Sequence, residues 1–158
     1  MTQTQLKSMR NIIAENYARP MLQGKWIGIN GCTYCVCGYY GVMLHDVVPE
    51  INSVKGDQRL ETVFDIPTEC DLLTTPKLSD LKAHVKGMRK NSLKSYRRDE
   101  YCWDFGKEKP WVNPWYLMDI LTILPDATLY YLPEKKYLSP IYFKSEKGNG
   151  ILLPIVKS

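Results

Sequence analysis

Apolar residues recur every three to four positions in three stretches of this chain, and elsewhere they fall in short β-rich runs separated by turn residues. Leu6, Met9, Ile13 and Tyr17 share one side of a helix predicted over residues 5 to 17, with Lys7, Arg10 and Glu15 between them. Arg19-Pro20 closes it, because the residue before a proline is driven out of the helical region. From Leu22 to Leu44 the spacing changes to Ile27, Ile29, Cys35, Val36, Cys37 and Val42. Asn30-Gly31 divides that stretch, and Asn-Gly suits a two-residue hairpin turn because both positions need positive φ, so a strand is predicted on either side. Val47-Val48 and Leu60 to Phe64 read as further strands, with Lys55-Gly56-Asp57 as a turn between them.

Thr75-Pro76 supplies a cap and a first-turn proline for a second helix, which carries Leu78, Leu81, Val85 and Met88 on one face and ends near Asn91. Tyr101 to Phe105 reads as a strand and Lys107 to Pro110 as a turn. The third helix has the clearest grammar: Asn113 caps, Pro114 takes the first position, and Tyr116, Leu117, Ile120, Leu121 and Leu124 form a stripe that stops before Pro125. Three β-rich runs follow, Thr128 to Tyr131, Ile141 to Lys144 and Ile151 to Val156, the last ending the chain as a strand. Few, short helices among locally connected strands predict the α+β class, an antiparallel sheet with two to three short helices packed on one face.

With 158 residues and neither a low-complexity segment nor a composition break, residues 1–158 are expected to form one domain. No apolar run approaches the roughly 20 residues of a membrane helix, and the N-terminal segment lacks the pattern of a secretory signal. A cytoplasmic setting without membrane contact is therefore expected. Five cysteines, an odd number, then read as reduced thiols.

The segment VNPWYLMDILTILPDATLYYLPEKKYLSPIYFKSEKGNGILLPIVKS, within Trp111 to Ser158, resembles the end of a DNA sliding-clamp domain. In that family a strand enters an Asn-x-x-Tyr-Leu helix, three strands follow, and the last ends in a proline-containing apolar motif. Asn113, Tyr116, Leu117, Leu121, Pro140, Leu153 and Pro154 match the pattern. Arg19, Pro20, Leu22 and Gly41 fit the Arg-Pro-x-Leu segment and strand pair of clamp-like proteins more loosely, with Tyr39-Tyr40 standing where Thr-Asp is usual. The resemblance implies a clamp-like domain, present as one copy where replication clamps string three, of a kind typical of phage and mobile elements. It also implies helices that face DNA and a C-terminal peptide pocket, although Ile155-Val156-Lys157 follows Pro154 where the family usually has an arginine.

Charge narrows the candidate chemistry. The net charge of +4 is modest, but seven basic residues and no acidic one lie between Lys82 and Arg98: Lys82, Lys86, Arg89, Lys90, Lys94, Arg97 and Arg98. Such a stripe can track phosphates, so DNA is the expected partner, bound in a salt-sensitive way. A solvated face with no partner fits the same run equally well. Tyr96, Tyr101 and Trp103 lie close by as base-stacking or core residues.

Cys32, Cys35 and Cys37 suggest half a zinc site, yet a strand points Cys32 and Cys35 to opposite faces and no second half follows, so no metal is expected. His45 and His84 read as surface or turn residues, no phosphate loop is present, and no nucleophile has a motif around it. The expectation is a binding protein without cofactor, not an enzyme. Eleven tyrosines and four tryptophans also suit a protein-binding or self-associating surface, with Tyr131, Tyr137, Tyr142 and Pro154 as its candidate residues. A module that docks on a host enzyme and inhibits or recruits it is the alternative.

Overall fold

A computed structural model of the chain describes residues 1–14, 26–48, 53–55, 60–91 and 102–155, with backbone alone at 26–29, 53–55 and 88–91. In order along the chain the elements are α1 (Gln3–Ala14), β1 (Trp26–Ile29), β2 (Cys32–Val36), β3 (Tyr40–Leu44), β4 (Ser53–Lys55), α2 (Leu60–Val63) and β5 (Asp71–Leu73). Then come α3 (Leu78–Asn91), β6 (Trp103–Asp104), β7 (Trp111–Val112), α4 (Pro114–Ile123), β8 (Thr128–Tyr131), a 3-10 segment (Pro133–Leu138), β9 (Ile141–Lys144) and β10 (Gly148–Leu152).

Eight strands form one sheet in the order β4-β1-β2-β3-β10-β9-β8-β5, and β6 pairs β7 in a separate hairpin. Every pair in the large sheet is antiparallel except β1 with β4, which is parallel. The class is thus α+β with a largely antiparallel sheet, as the hydrophobic pattern implies. Two similar halves meet at its centre. Each consists of a helix followed by a three-strand meander, α1 with β1, β2 and β3, and α4 with β8, β9 and β10. Their third strands pair antiparallel, and α1 packs beside α4 over that seam.

The alternation of each strand sets the two faces of the sheet. One cross-strand row runs Leu73, Leu129, Phe143, Gly150, Val42 and Cys35, and its side chains meet Leu6, Met9 and Ile13 of α1, Leu81 of α3, and Leu117, Ile120 and Leu121 of α4 in a single core. Gly150 lacks a side chain where Ile120 presses down, since a Cβ there would lie 3.1 Å from Ile120 Cγ2. The opposite row, Leu72, Tyr130, Tyr142, Ile151, Gly41 and Val36, faces away from α1, α3 and α4.

Four readings of the pattern change. Leu60 to Phe64 is not a strand: one helical turn, α2, brings Leu60 and Phe64 four residues apart onto the outer face, where Phe64 packs on Tyr34 with ring centroids 5.7 Å apart. Val47-Val48 is a loop, because the Thr33 hydroxyl donates to Asp46 O at 2.8 Å and accepts from Val48 N at 3.1 Å, replacing ladder partners. The second helix begins at Leu78 instead of Pro76, its first turn anchored by Asp80 N and Leu81 N donating to Lys77 O. Strand β10 spans Gly148–Leu152; Leu153 N still follows its register with β3, donating to Tyr39 O at 2.9 Å, and Ile155 N then donates to Trp111 O of β7 at 2.7 Å, so the tail passes from the large sheet to the small hairpin. Arg19, Pro20, Leu22 and the Lys55-Gly56-Asp57 turn, apart from the backbone of Lys55, lie outside the described residues.

Candidate nucleic-acid interface

One face of the sheet carries three helices, with α4 packed against both α1 and α3. Leu81 and Val85 bury one side of α3, and the same periodicity leaves Lys82 and Lys86 exposed, one turn apart. On α1, burial of Leu6, Met9, Ile12 and Ile13 leaves Lys7 and Arg10 exposed. Helix α4 is different. Asn113 Oδ1 accepts from Trp115 N at 2.9 Å and Tyr116 N at 3.3 Å, Pro114 begins the helix, and the half-buried positions are Trp115, Tyr116, Met118, Asp119 and Thr122. Positive charge therefore sits on the two flanking helices, and the middle helix contributes a single carboxylate.

That carboxylate is already engaged. Asp119 Oδ2 accepts from Tyr40 Oη at 2.9 Å, and Asp119 Oδ1 accepts from Asn11 Nδ2 at 3.1 Å, so α4 is tied to both β3 and α1. Tyr116 stacks on Tyr40 at 4.1 Å between centroids and on Tyr39 at 6.1 Å. Burial pushes the Tyr40 phenol far above the usual tyrosine range, and the neighbouring Asp119 charge raises it further.

Of the basic residues singled out from the sequence, Lys82 and Lys86 stand exposed on α3. Arg89 and Lys90 belong to the same helix, with their side chains outside the described residues, and Lys94, Arg97 and Arg98 lie outside them altogether, as do Tyr96 and Tyr101. His84 is half-buried, not a free surface residue: Nε2 lies 3.2 Å from Cys102 O, and the ring meets Trp103 edge-on at 5.3 Å. This contact seats α3 against the chain that enters β6. Trp103 packs against the main core.

Lys7 and Arg10 were legible as the polar face of the first helix, but only the fold puts them on the same layer as Lys82 and Lys86. Asp119 had a fainter signal, an acid inside an otherwise apolar helix.

The four residues proposed for protein contact do not share one surface. Tyr131 lies on the helix side of the sheet, half-buried, with Lys109 Nζ 6.0 Å from its ring centroid. Tyr142 is on the other face and only 8% exposed. Tyr137 is exposed in the 3-10 segment, and Pro154 is half-buried in the tail that follows β10.

The cysteines follow the strand rule. Cys35 is buried in the main core, where its thiol donates to Met9 O at 3.0 Å, while Cys32 packs on the other face with Tyr34. Among the described residues no three or more histidines, cysteines or carboxylates gather as a metal site would require. Nor is any helix of the described residues long and apolar enough to cross a membrane. No protein-family model matches the chain, and comparison with curated proteins and with solved structures gives no match.

Proposed function

We infer that the chain is a non-catalytic DNA-associated binding protein built as one clamp-like domain of phage or mobile-element type, acting in the cytoplasm. The observation that carries this reading is the path of the C-terminal half. Strand β7 enters a helix capped at Asn113, β8, β9 and β10 follow, and the chain leaves through Leu153-Pro154. This is the element order that the resemblance implies. The halves, each a helix and a meander, also place their helices side by side on one face, and that face bears Lys7, Arg10, Lys82 and Lys86. Phosphates are its natural ligand class, with the DNA contacting the outer helices α1 and α3 and passing over α4, whose one carboxylate, Asp119, is engaged by Tyr40 and Asn11.

A short duplex titrated at low and moderate salt tests this directly by fluorescence anisotropy. The reading expects binding that weakens steeply with salt, and a shallower salt dependence when Lys82 and Lys86 are both changed to Glu. Salt-independent indifference to duplex DNA would remove it.

The alternative, a module that docks on a host enzyme, rests on exposed apolar side chains at Tyr39, Leu72, Tyr137, Leu138 and Leu153. Under that reading the lysine substitutions leave capture of the partner unchanged and substitution of Tyr137 abolishes it.

A further inference from the structure

The sequence contains two Asn-Gly pairs, Asn30-Gly31 and Asn149-Gly150, and both asparagine side chains hold the same short segment. Asn30 Nδ2 donates to Glu61 Oε1 at 2.8 Å, and Asn149 Nδ2 donates to Phe64 O at 3.2 Å. Between these two points α2 lies across the face of the sheet opposite the other helices. Its Phe64 is 1% exposed against Tyr34, and Leu60, Met43, Val36, Cys32 and Ile151 complete the small cluster beneath it. Two side-chain amides and one buried ring thus pin α2 down.

The two pairs sit in opposite backbone settings. Asn30 and Gly31 form the exposed turn between β1 and β2, both at positive φ, 49° and 77°, and the space around Gly31 is open. Gly150 is buried in a central strand, opposite Val42 on one side and Phe143 on the other, so its amide is committed to the ladder.

We propose that Asn30 is a spontaneous deamidation site whose conversion loosens α2 on the sheet. The backbone nitrogen of Gly31 attacks Cγ of Asn30, the bond from Cγ to Nδ2 breaks, and ammonia leaves with the proton given up by that nitrogen. Water then opens the resulting succinimide at either carbonyl, giving aspartate or isoaspartate. Glycine permits the attack because no side chain shields its nitrogen, and an exposed two-residue turn leaves the backbone room to rotate. At Asn149 the same attack is blocked, since Gly150 would have to leave the sheet.

The product inverts the contact. A donor facing Glu61 becomes a carboxylate facing a carboxylate, and the isoaspartate form also lengthens the turn backbone by one carbon. One of the two amide ties on α2 turns repulsive, while Phe64 and Asn149 remain.

The test ages the purified full chain in mildly alkaline buffer and follows it by peptide mass mapping and an isoaspartate methylation assay. Amide hydrogen exchange is then read across residues 60–64 in the fresh chain, the aged chain, Asn30→Asp and Asn30→Gly. Glycine accepts the positive φ of the turn and removes the side chain without adding charge. Expected are loss of the Asn30 amide with Asn149 intact, and exchange in α2 about tenfold faster in Asn30→Asp than in the fresh chain, with Asn30→Gly between them. An Asn30 amide that persists in the folded chain while converting in urea overturns the proposal. So does exchange across 60–64 that stays the same after conversion.

Discussion

Tyr40 and Asp119 stand 79 positions apart in sequence and meet at 2.9 Å, the phenol donating to the carboxylate across the interface of β3 with α4. Tyr40 is 2% exposed, and Tyr116 stacks over its ring. The second residue of the Tyr39-Tyr40 pair is therefore consumed in holding a helix. Removing the hydroxyl alone, in Tyr40→Phe, keeps the stack and forfeits a hydrogen bond to a charged acceptor. That change is expected to cost about 2 kcal/mol, read as a lower urea midpoint at unchanged slope.

The same burial makes stability depend on alkaline pH. Burial raises the Cys35 thiol well above its ordinary value, the Cys37 and Asp119 charges adding to it, and burial with Asp119 raises the Tyr40 phenol. Both groups stay neutral in the folded chain, whereas the unfolded chain ionises its thiols near pH 8.5 and its phenols near pH 10. Below the unfolded values their contribution is fully present; as pH rises past them, the unfolded state releases protons that the folded state retains, and stability falls. Urea unfolding from pH 7 to pH 11 should show a decline beginning near pH 8.5 and steepening near pH 10. Cys35→Ala should shrink the earlier part, leaving the share of Cys70, whose thiol is also raised by burial, and should leave the later part unchanged.

Thr33 is one of three buried polar residues among the described ones, and its hydroxyl bridges Asp46 O and Val48 N. Thr33→Val preserves shape and β-branching but strands two backbone groups. About 2 kcal/mol of destabilisation is expected, accompanied by faster amide exchange at Val48, which Thr33→Ser should largely restore. Equal exchange in Thr33→Val and the parent would mean that the hydroxyl does not hold this loop.

How much of this was readable depends on how far each signal reaches along the chain. Asn113-Pro114 sets the start of α4 from adjacent residues, and the β-rich runs Thr128 to Tyr131 and Ile141 to Lys144, bounded by turn residues, reproduce the bounds of β8 and β9. Helix α2 is a single turn, so Leu60 and Phe64 offer one repeat of the helical spacing, while Thr62 and Val63 between them favour a strand reading. Strand β5 has three residues, and β4 owes its place to a parallel partner in β1, a pairing no local pattern encodes. The candidate interface divides similarly. Lys82 and Lys86 show in a contiguous charge run, but that Lys7 and Arg10 share their face follows from α1 and α4 packing over the β3/β10 seam. The tyrosines that looked like one aromatic surface separate because the β8–β9 register sets Tyr131 opposite Ile141 and leaves Tyr142 on the other face, while Tyr137 lies in the 3-10 segment between the strands.

Lys136 offers the sharpest separation of backbone from side-chain effects. It adopts φ 50° and ψ −123° inside the 3-10 segment, a region that suits glycine. Its ammonium lies 3.6 Å from Glu108 Oε1, and both side chains are more than half exposed, so the ion pair contributes little in water. Glu108 is itself at φ 58°, in the turn of the β6–β7 hairpin. Replacing Lys136 by alanine removes the charge and retains the strained backbone; replacing it by glycine removes both. Lys136→Gly is expected to raise stability by about 1 kcal/mol relative to Lys136→Ala, with the alanine variant close to the parent. Thermal unfolding at two salt concentrations checks the assignment. A gain that is independent of salt belongs to the backbone, whereas a loss in both variants that disappears at high salt would assign the stability to the Glu108 ion pair instead.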